Sequence, residues 1–383
     1  MSETLFVTGG TGFLGSYVIL ELMARTDAEL VLLTRANTTD EAQKKLWRAM
    51  QLHIDSDAFF DMMPRIRFAM GDLHAPKLGL SEADYDALTE RCGSVLHIAA
   101  SLNRKSAKAC FNSNLRGTLS MIQFARAAKD RGGLRRFSWV STTAVAGVRQ
   151  SEVVGEDQSI DWNRSDYDPY ARTKKFAEHM VFEMLPDIDK TVFRPSIVMG
   201  DSRMAETTQF DMVSAFVGLA KLPVVPLDPH TRLDIVPADF VGEAIARLHM
   251  KQAPRWERYH LSSGTRSACT PQQIGRALDP TGKGFRMVPR LDSSFLLGIR
   301  ALNRLPRSMK LQGVGALMKV FWPYVTFDTV FDNTRVCTEL DMSPTPFPAY
   351  CAPLLDFATR VKFTYPYKPL PVQRKQPAKL RAV

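Results

Sequence analysis

Cysteine is scarce in this 383-residue chain: five residues, at 92, 110, 269, 337 and 351, an odd number with no CxxC or Cys/His metal spacing. That argues against a disulfide scaffold or a metal site and suits reduced thiols in a cytosolic protein. Long apolar runs are missing as well. No window approaches the ~20 unbroken apolar residues of a membrane span, and the first apolar run begins almost at Met1, which leaves no room for a signal peptide. The expected location is therefore cytoplasmic, with membrane association as the alternative. There is no internal repeat. Acidic residues are the minority, 40 Asp and Glu against 50 Lys and Arg, for a net charge of +10. Such a balance suits an acidic partner, whether a phosphorylated cofactor, a CoA or carrier-protein substrate, a nucleic acid or an anionic membrane, and does not choose among them. An apolar fraction of 45% supplies a core. The length, beyond the usual ~100–200 residues per domain, predicts one large domain with a smaller addition.

The chain is organised around Phe6-Val7-Thr8-Gly9-Gly10-Thr11-Gly12-Phe13-Leu14-Gly15-Ser16, which joins an apolar run to an amphipathic segment from Tyr17 to Met23. This is a strand, a glycine turn and a helix start. Such a turn lets backbone approach a pyrophosphate while the helix N-terminus offers unpaired N–H groups and partial positive charge. Gly9 allows the tight turn, Gly12 the close approach, and Gly15 the packing of helix on strand. An ordinary glycine loop would show the same letters; the position, straight after a strand and opening a helix, favours the dinucleotide reading.

Glu29 to Arg35 reads as a second strand, its continuous apolar run suited to a sheet covered on both faces. At its end, where a carboxylate would bond the ribose 2′-OH of NAD, the chain has Thr34 and Arg35 and no carboxylate until Asp40. An arginine there suits the 2′-phosphate of NADP; a solvated strand-end arginine is the plainer alternative. Arg65 to Leu73 and Val95 to Ala100 are further strands, and His97 is expected to be a packed core histidine, since a catalyst must reach substrate. A helix from Asn112 to Lys129 leads to a strand from Arg136 that ends in Ser141-Thr142-Thr143. Tyr170 and Lys174, four residues apart behind Pro169, share one helix face. A phenol of pKa ≈ 10 is a poor acid at neutral pH, and a neighbouring ammonium favours its phenolate. A hydroxyl from Thr142 or Thr143 can bond the same substrate oxygen and stabilise developing charge. Alone, such a Tyr/Lys pair is usually a solvated helix face; behind this turn and this Ser-Thr-Thr strand it is not. Lys190 to Gly200 is a sixth strand, and the alternation to that point predicts an α/β doubly wound parallel sheet.

Assembled, these residues resemble the extended short-chain dehydrogenase/reductases. The family likeness rests on Thr8 to Gly15, Gly71-Asp72-Leu73, His97 to Ala100, Asn114 to Thr118 and Tyr170 to Lys174. Within that family Ser141 to Val145, Phe193 to Asp201, Leu233 to Asp239 and Tyr259 to Gly264 resemble the branch of thioester reductase domains and fatty acyl-CoA reductases. The likeness runs from about Thr4 to Gly264. It implies a Rossmann-type domain over 1–265 with substrate-lobe insertions from about 201, and a smaller, mostly helical C-terminal substrate lobe over 266–365. The basic, proline-rich 366–383 is expected to be extended or disordered. The implied cofactor is NADP(H), with no metal. Gly9, Thr11, Gly12, Phe13, Leu14 and Gly15 would meet its pyrophosphate, Arg35 the 2′-phosphate, Asp72 and Leu73 the adenine, and Ala99 and Ala100 the inner ribose region; Pro195 and Ser196 would add further contacts. Thr142, with Thr143 its rival, would supply the catalytic hydroxyl and Tyr170 the proton. Lys174 would lower the Tyr170 pKa and bond the nicotinamide ribose.

The activity so implied is NADPH-dependent reduction of an acyl thioester, on CoA or an acyl carrier protein, to an aldehyde, with either the aldehyde or the alcohol beyond it as the final product. An oxidoreductase or epimerase of a sterol, flavonoid or nucleotide sugar is the second expectation, and a non-catalytic dinucleotide-binding regulator the third; no nucleic-acid partner is expected. The stretch from Phe295 to Val320, including Leu296 and Leu297, mixes apolar and basic residues. It is expected to cover an acyl channel, with a plain helical cap bearing a solvated basic face as the alternative and peripheral membrane contact as a lesser one.

Overall fold

The computed structural model describes residues 3–157, 160–222, 224–281, 286–289 and 322–372. Seven parallel strands form one sheet: β1 (Thr4–Thr8), β2 (Glu29–Thr34), β3 (Ile66–Met70), β4 (Cys92–His97), β5 (Arg136–Val140), β6 (Lys190–Pro195) and β7 (Arg258–Leu261). Their order is β7-β6-β5-β4-β1-β2-β3, so the winding direction reverses between β1 and β4. All five residues of β1 are buried. Successive side chains on a strand point to opposite faces. Leu5 and Val7 thus enter the core under helices Phe13–Arg25 and Ala238–Met250, and Phe6 the core under helices Glu82–Arg91, Gly117–Gly132 and Pro169–Met184. Cover on both faces explains why these strands read as unbroken apolar runs. His97 is a packed core histidine, fully buried between the hydroxyls of Thr8 (2.6 Å) and Thr118 (3.2 Å); burial lowers its pKa to about 3.

Strand ends differ from the sequence reading where side chains leave the ladder. The fourth strand stops at His97, because the chain beyond it turns to line a cavity. The sixth stops at Pro195; Ile197–Val198 then pairs separately with Ile235–Val236. The helix expected from Asn112 opens as a π-helical stretch, Phe111–Arg116, before turning α-helical at Gly117.

A second apolar core gathers helix Asp211–Ala220 (Val213, Phe216), Ile235, Ile274, Trp322, Val325 and helix Cys351–Arg360 (Leu354, Leu355). It draws on both sides of residue 265, joining the insertions expected from about 201 to the C-terminal part, so the two regions interleave. Helix Thr334–Leu340 moreover buries Val336 and Leu340 in the core of the sheet, the reverse of what a separate 266–365 lobe would do. Residues 366–372 are pinned rather than loose: Trp47 Nε1 donates to the Lys368 carbonyl (3.1 Å), the Lys368 N–H donates to Gln51 Oε1 (2.7 Å), and Arg48 lies over the Tyr367 ring (4.0 Å). The expected channel cover, Phe295 to Val320, lies outside the described residues, as does 373–383. Among the described residues no helix is long and apolar enough to cross a membrane, and no cluster of His, Cys, Asp and Glu could hold a metal ion. All five cysteines are unpaired.

Candidate active site

The carboxyl ends of β1, β4, β5 and β6 converge on a cavity of about 450 Å³, at the point where the strand order reverses. Crevices form there in doubly wound sheets because neighbouring connections leave to opposite faces. The glycine turn makes its floor. Gly9 has φ +77°, and a Cβ on it would stand 2.6 Å from the Ala99 nitrogen; a Cβ on Gly15 would stand 2.1 Å from the Gly9 carbonyl oxygen. Any side chain there would fill the cradle. Helix Phe13–Arg25 begins behind Gly12 with no side-chain cap, which leaves its first N–H groups for an anion. These features fit a dinucleotide pyrophosphate.

A side chamber of about 230 Å³ continues past Gly9 and Thr11 to Arg35, Asp72, Leu73, Ala99 and Ala100. Arg35 is exposed and borders both spaces. Three residues that the sequence reading missed join it here: Lys45, His74 and Ser113. Lys45 Nζ donates to the Arg35 carbonyl and pairs with Glu41 (2.6 Å), while His74 bonds Ser113 (3.0 Å). Helical spacing of Lys45 behind Glu41 was the available signal.

At the other end stand Thr142, Tyr170 and Lys174. Asp168 caps the helix that carries the latter two by accepting from the Ala171 N–H (2.8 Å), and Pro169 occupies the first turn, where its missing N–H costs nothing. Asn114, buried in the π-helical stretch, holds the loop after β4 to this helix: it accepts from the Ser101 N–H (2.7 Å) and donates to Thr173 Oγ1 (3.2 Å). Thr142 and Thr143 both border the cavity, and of the two it is the Thr142 side chain that draws the Tyr170 phenol towards its charged form. Burial pushes the Tyr170 pKa above its ordinary 10.0, and the Arg104 guanidinium and the Thr142 side chain oppose that rise. Arg104 was not foreseen. It lies 4.5 Å from the Tyr170 ring centre, whereas Lys174 donates to the Val140 carbonyl (2.7 Å) and sits over Trp139 (4.6 Å). The cation drawing the phenol down in this structure is thus Arg104, where Lys174 was expected. Pro195, Ser196, Phe13 and Leu14 complete the near wall. The far wall is aromatic and joins the two parts of the fold: Tyr324 of the interleaved lobe stacks on Tyr167 (4.8 Å), with Phe327 beside them. Every site residue expected from the sequence therefore borders one continuous pair of spaces.

Burial lowers the Lys174 pKa from 10.5 to about 7, and Glu178 partly restores it. Between those values the folded chain carries fewer protons than the unfolded one, so this residue makes stability rise with pH across that window. Lys174→Met should flatten that rise and hold or raise the melting temperature near pH 7. Melting curves from pH 6 to pH 10 test this; parallel pH dependences for the two proteins would refute it.

This fold with this site defines a nicotinamide-dinucleotide-dependent oxidoreductase of the extended short-chain dehydrogenase/reductase type. The family model described as "Male sterility protein" matches residues 7–245. The chain belongs to that family. Among relatives, a nonribosomal peptide synthetase, asaC, of Aspergillus flavus is 30% identical over 262 residues, covering 65% of this chain and 25% of the relative. Glycine betaine reductase ATRR of Emericella nidulans is 27% identical over 269 residues, covering 68% of this chain and 21% of its own length. Carboxylic acid reductase of Mycobacterium tuberculosis is 27% identical, covering 68% and 24%. The chain thus spans a quarter or less of each of these. Among solved structures, the terminal R domain from the myxalamid PKS-NRPS pathway superposes with a TM-score of 0.80 at 24% identity, over 94% of this chain and 92% of that one. It shares the fold.

Proposed function

We propose that the chain reduces an acyl thioester, held on the phosphopantetheine arm of a carrier protein, to an aldehyde with NADPH. The observation that carries this is that Thr142 and Tyr170 both line one cavity, between a pyrophosphate cradle and an aromatic wall. Support also comes from the relatives, which include a nonribosomal peptide synthetase and a carboxylic acid reductase. When bound, the reduced nicotinamide supplies hydride to the thioester carbonyl carbon. Thr142 and Tyr170 hold the carbonyl oxygen as it gains charge, and the Tyr170 phenol gives it a proton. The resulting hemithioacetal splits at its C–S bond, releasing aldehyde and free thiol. Lys174, which donates to the Val140 carbonyl and lines the same cavity, would bond the ribose next to the nicotinamide.

Incubation with NADPH and an acyl group loaded on either CoA or a carrier protein should release one thiol per NADPH oxidised, faster from the carrier protein. An aldehyde that disappears with a second NADPH would extend the reaction to an alcohol. Oxidation of NADPH by ketones, with no thiol released from any thioester, would instead favour a ketone or alcohol substrate.

The NADP assignment rests on Arg35, exposed at the mouth of the adenosine chamber, with Lys45 beside it. Arg35→Ala should weaken NADPH by about 1.5–3 kcal/mol, the worth of a hydrogen bond to a charged group, and leave NADH nearly unchanged. Titration by fluorescence measures both; equal losses would make Arg35 structural.

A further inference from the structure

Tyr170 is enclosed by charged and titratable groups from four directions. Arg104 comes from the loop after β4 and Cys110 from helix Ala107–Cys110; Asp168 is the cap of the helix that carries Tyr170, and Tyr324 comes from the interleaved lobe. Lys174, one turn along the same helix, is turned onto Val140 and Trp139. Arg104 is the hub of this group. Its Nη1 donates to Asp168 Oδ2 (2.8 Å) and to the Tyr324 hydroxyl (2.7 Å), and its guanidinium lies 4.5 Å from the Tyr170 ring centre and 5.1 Å from that of Tyr324. Both members of the Arg104–Asp168 pair are largely shielded from water, at 17% and 12% side-chain exposure. In such surroundings a fixed cation acts on a neighbouring phenol far more strongly than at a surface. Tyr324 in turn stacks on Tyr167 at 4.8 Å, so the hydroxyl that holds Arg104 belongs to the aromatic wall.

We propose that Arg104 is a positioning residue for the reaction: held by Asp168 and Tyr324, its guanidinium keeps the Tyr170 phenol acidic enough to give up its proton, which ties the proton donor to the aromatic wall of the substrate side. The inference rests on the reading of Tyr170 as the donor. Three consequences follow from the geometry. Removing the guanidinium makes the phenol a weaker acid. Removing only the Tyr324 hydroxyl loosens the guanidinium and gives a smaller change of the same sign, with the ring stack retained. A lysine at 104 restores charge on a shorter stem and without the planar guanidinium that lies over the Tyr170 ring, so it recovers the effect in part.

The test is a tyrosinate titration by ultraviolet difference absorbance on the NADPH-bound protein, with Tyr170→Phe in each background isolating the signal of Tyr170. In Arg104→Gln the Tyr170 midpoint should rise by about one pH unit, a tenfold change in its ionisation constant. Tyr324→Phe should show a smaller rise, and Arg104→Lys a midpoint between those of the original protein and Arg104→Gln. With an octanoyl thioester as probe, kcat should fall in Arg104→Gln while KM for NADPH stays put, and the alkaline limb of the kcat profile should move up with the midpoint. A purely structural role would lower kcat without moving either midpoint or limb. An unchanged Tyr170 midpoint in both Arg104→Gln and Tyr324→Phe overturns the proposal. If Tyr170→Phe keeps its activity while the midpoint shifts stand, the electrostatic link holds and it is the donor role that fails.

Discussion

Tyr170→Phe is expected to lower kcat for thioester reduction by about 10²–10⁴-fold, the usual contribution of a positioned general acid, while NADPH affinity stays within about twofold. The asymmetry follows from the site. Tyr170 lines the cavity beside Thr142, whereas the pyrophosphate cradle is built from backbone at Gly9, Gly12 and Gly15. Phenylalanine keeps the ring that packs against Arg104. Thr142→Ala should cost about 10²–10³-fold, as for one lost oxyanion donor, and the double variant little more than Tyr170→Phe alone, because the two hydroxyls serve one oxygen. Single-turnover rates with a loaded carrier protein and separate NADPH titrations measure both quantities. A Tyr170→Phe protein that keeps most of its rate would remove Tyr170 from the chemistry.

The second large effect lies under the site. Glu178 is 1% exposed, one turn beyond Lys174 on the same helix, and its carboxylate takes the Arg194 guanidinium in a fork, accepts from Ser141 Oγ (2.6 Å) and draws Lys174 towards its charged form. Glu178→Ala leaves Arg194, itself 3% exposed, charged and without its carboxylate in the interior. Breaking such a buried pair from one side costs about 3–5 kcal/mol, because the remaining charge keeps its desolvation penalty. Replacing both members with apolar residues of similar size, Glu178→Leu with Arg194→Met, should recover much of the loss. Urea unfolding reads this as a lower midpoint at an unchanged slope. A loss under about 1 kcal/mol, the range of surface pairs, would show that solvent reaches Arg194. Ser141 adjoins Thr142, so Glu178→Ala should also slow catalysis in protein that remains folded.

These two predictions draw on different kinds of information. Tyr170, Thr142 and the glycine turn were legible in the chain because local rules place them: a strand, a turn without side chains, and a helix that sets two residues one turn apart on one face. The parallel sheet was legible for the same reason, since strands buried on both faces leave long apolar runs. The Glu178–Arg194 pair was not, because a glutamate inside a helical stretch and an arginine inside an apolar strand carry no mark of each other until the helix lies on the sheet.

Arg104 shows the same limit at the site itself. In the chain it stands among Ser101, Leu102, Asn103 and Lys105, a polar loop like many others. What sets it beside Tyr170 is the approach of three separate segments: the loop after β4, the helix capped by Asp168, and a lobe segment carrying Tyr324 from more than 200 residues away. Likewise the stretch expected to form a separate unit after 265 sends Val336 and Leu340 back into the first core, since a short helix with two apolar residues four apart gains most where an apolar face is waiting. The sequence by itself determined the parallel sheet, the glycine turn and the spacing that sets Tyr170 and Lys174 on one helix face, because short-range periodicity and backbone sterics specify them. Only the tertiary structure decided which cation lies beside Tyr170 and which aromatic rings line the cavity, because those contacts depend on long-range packing that leaves no local pattern in the chain.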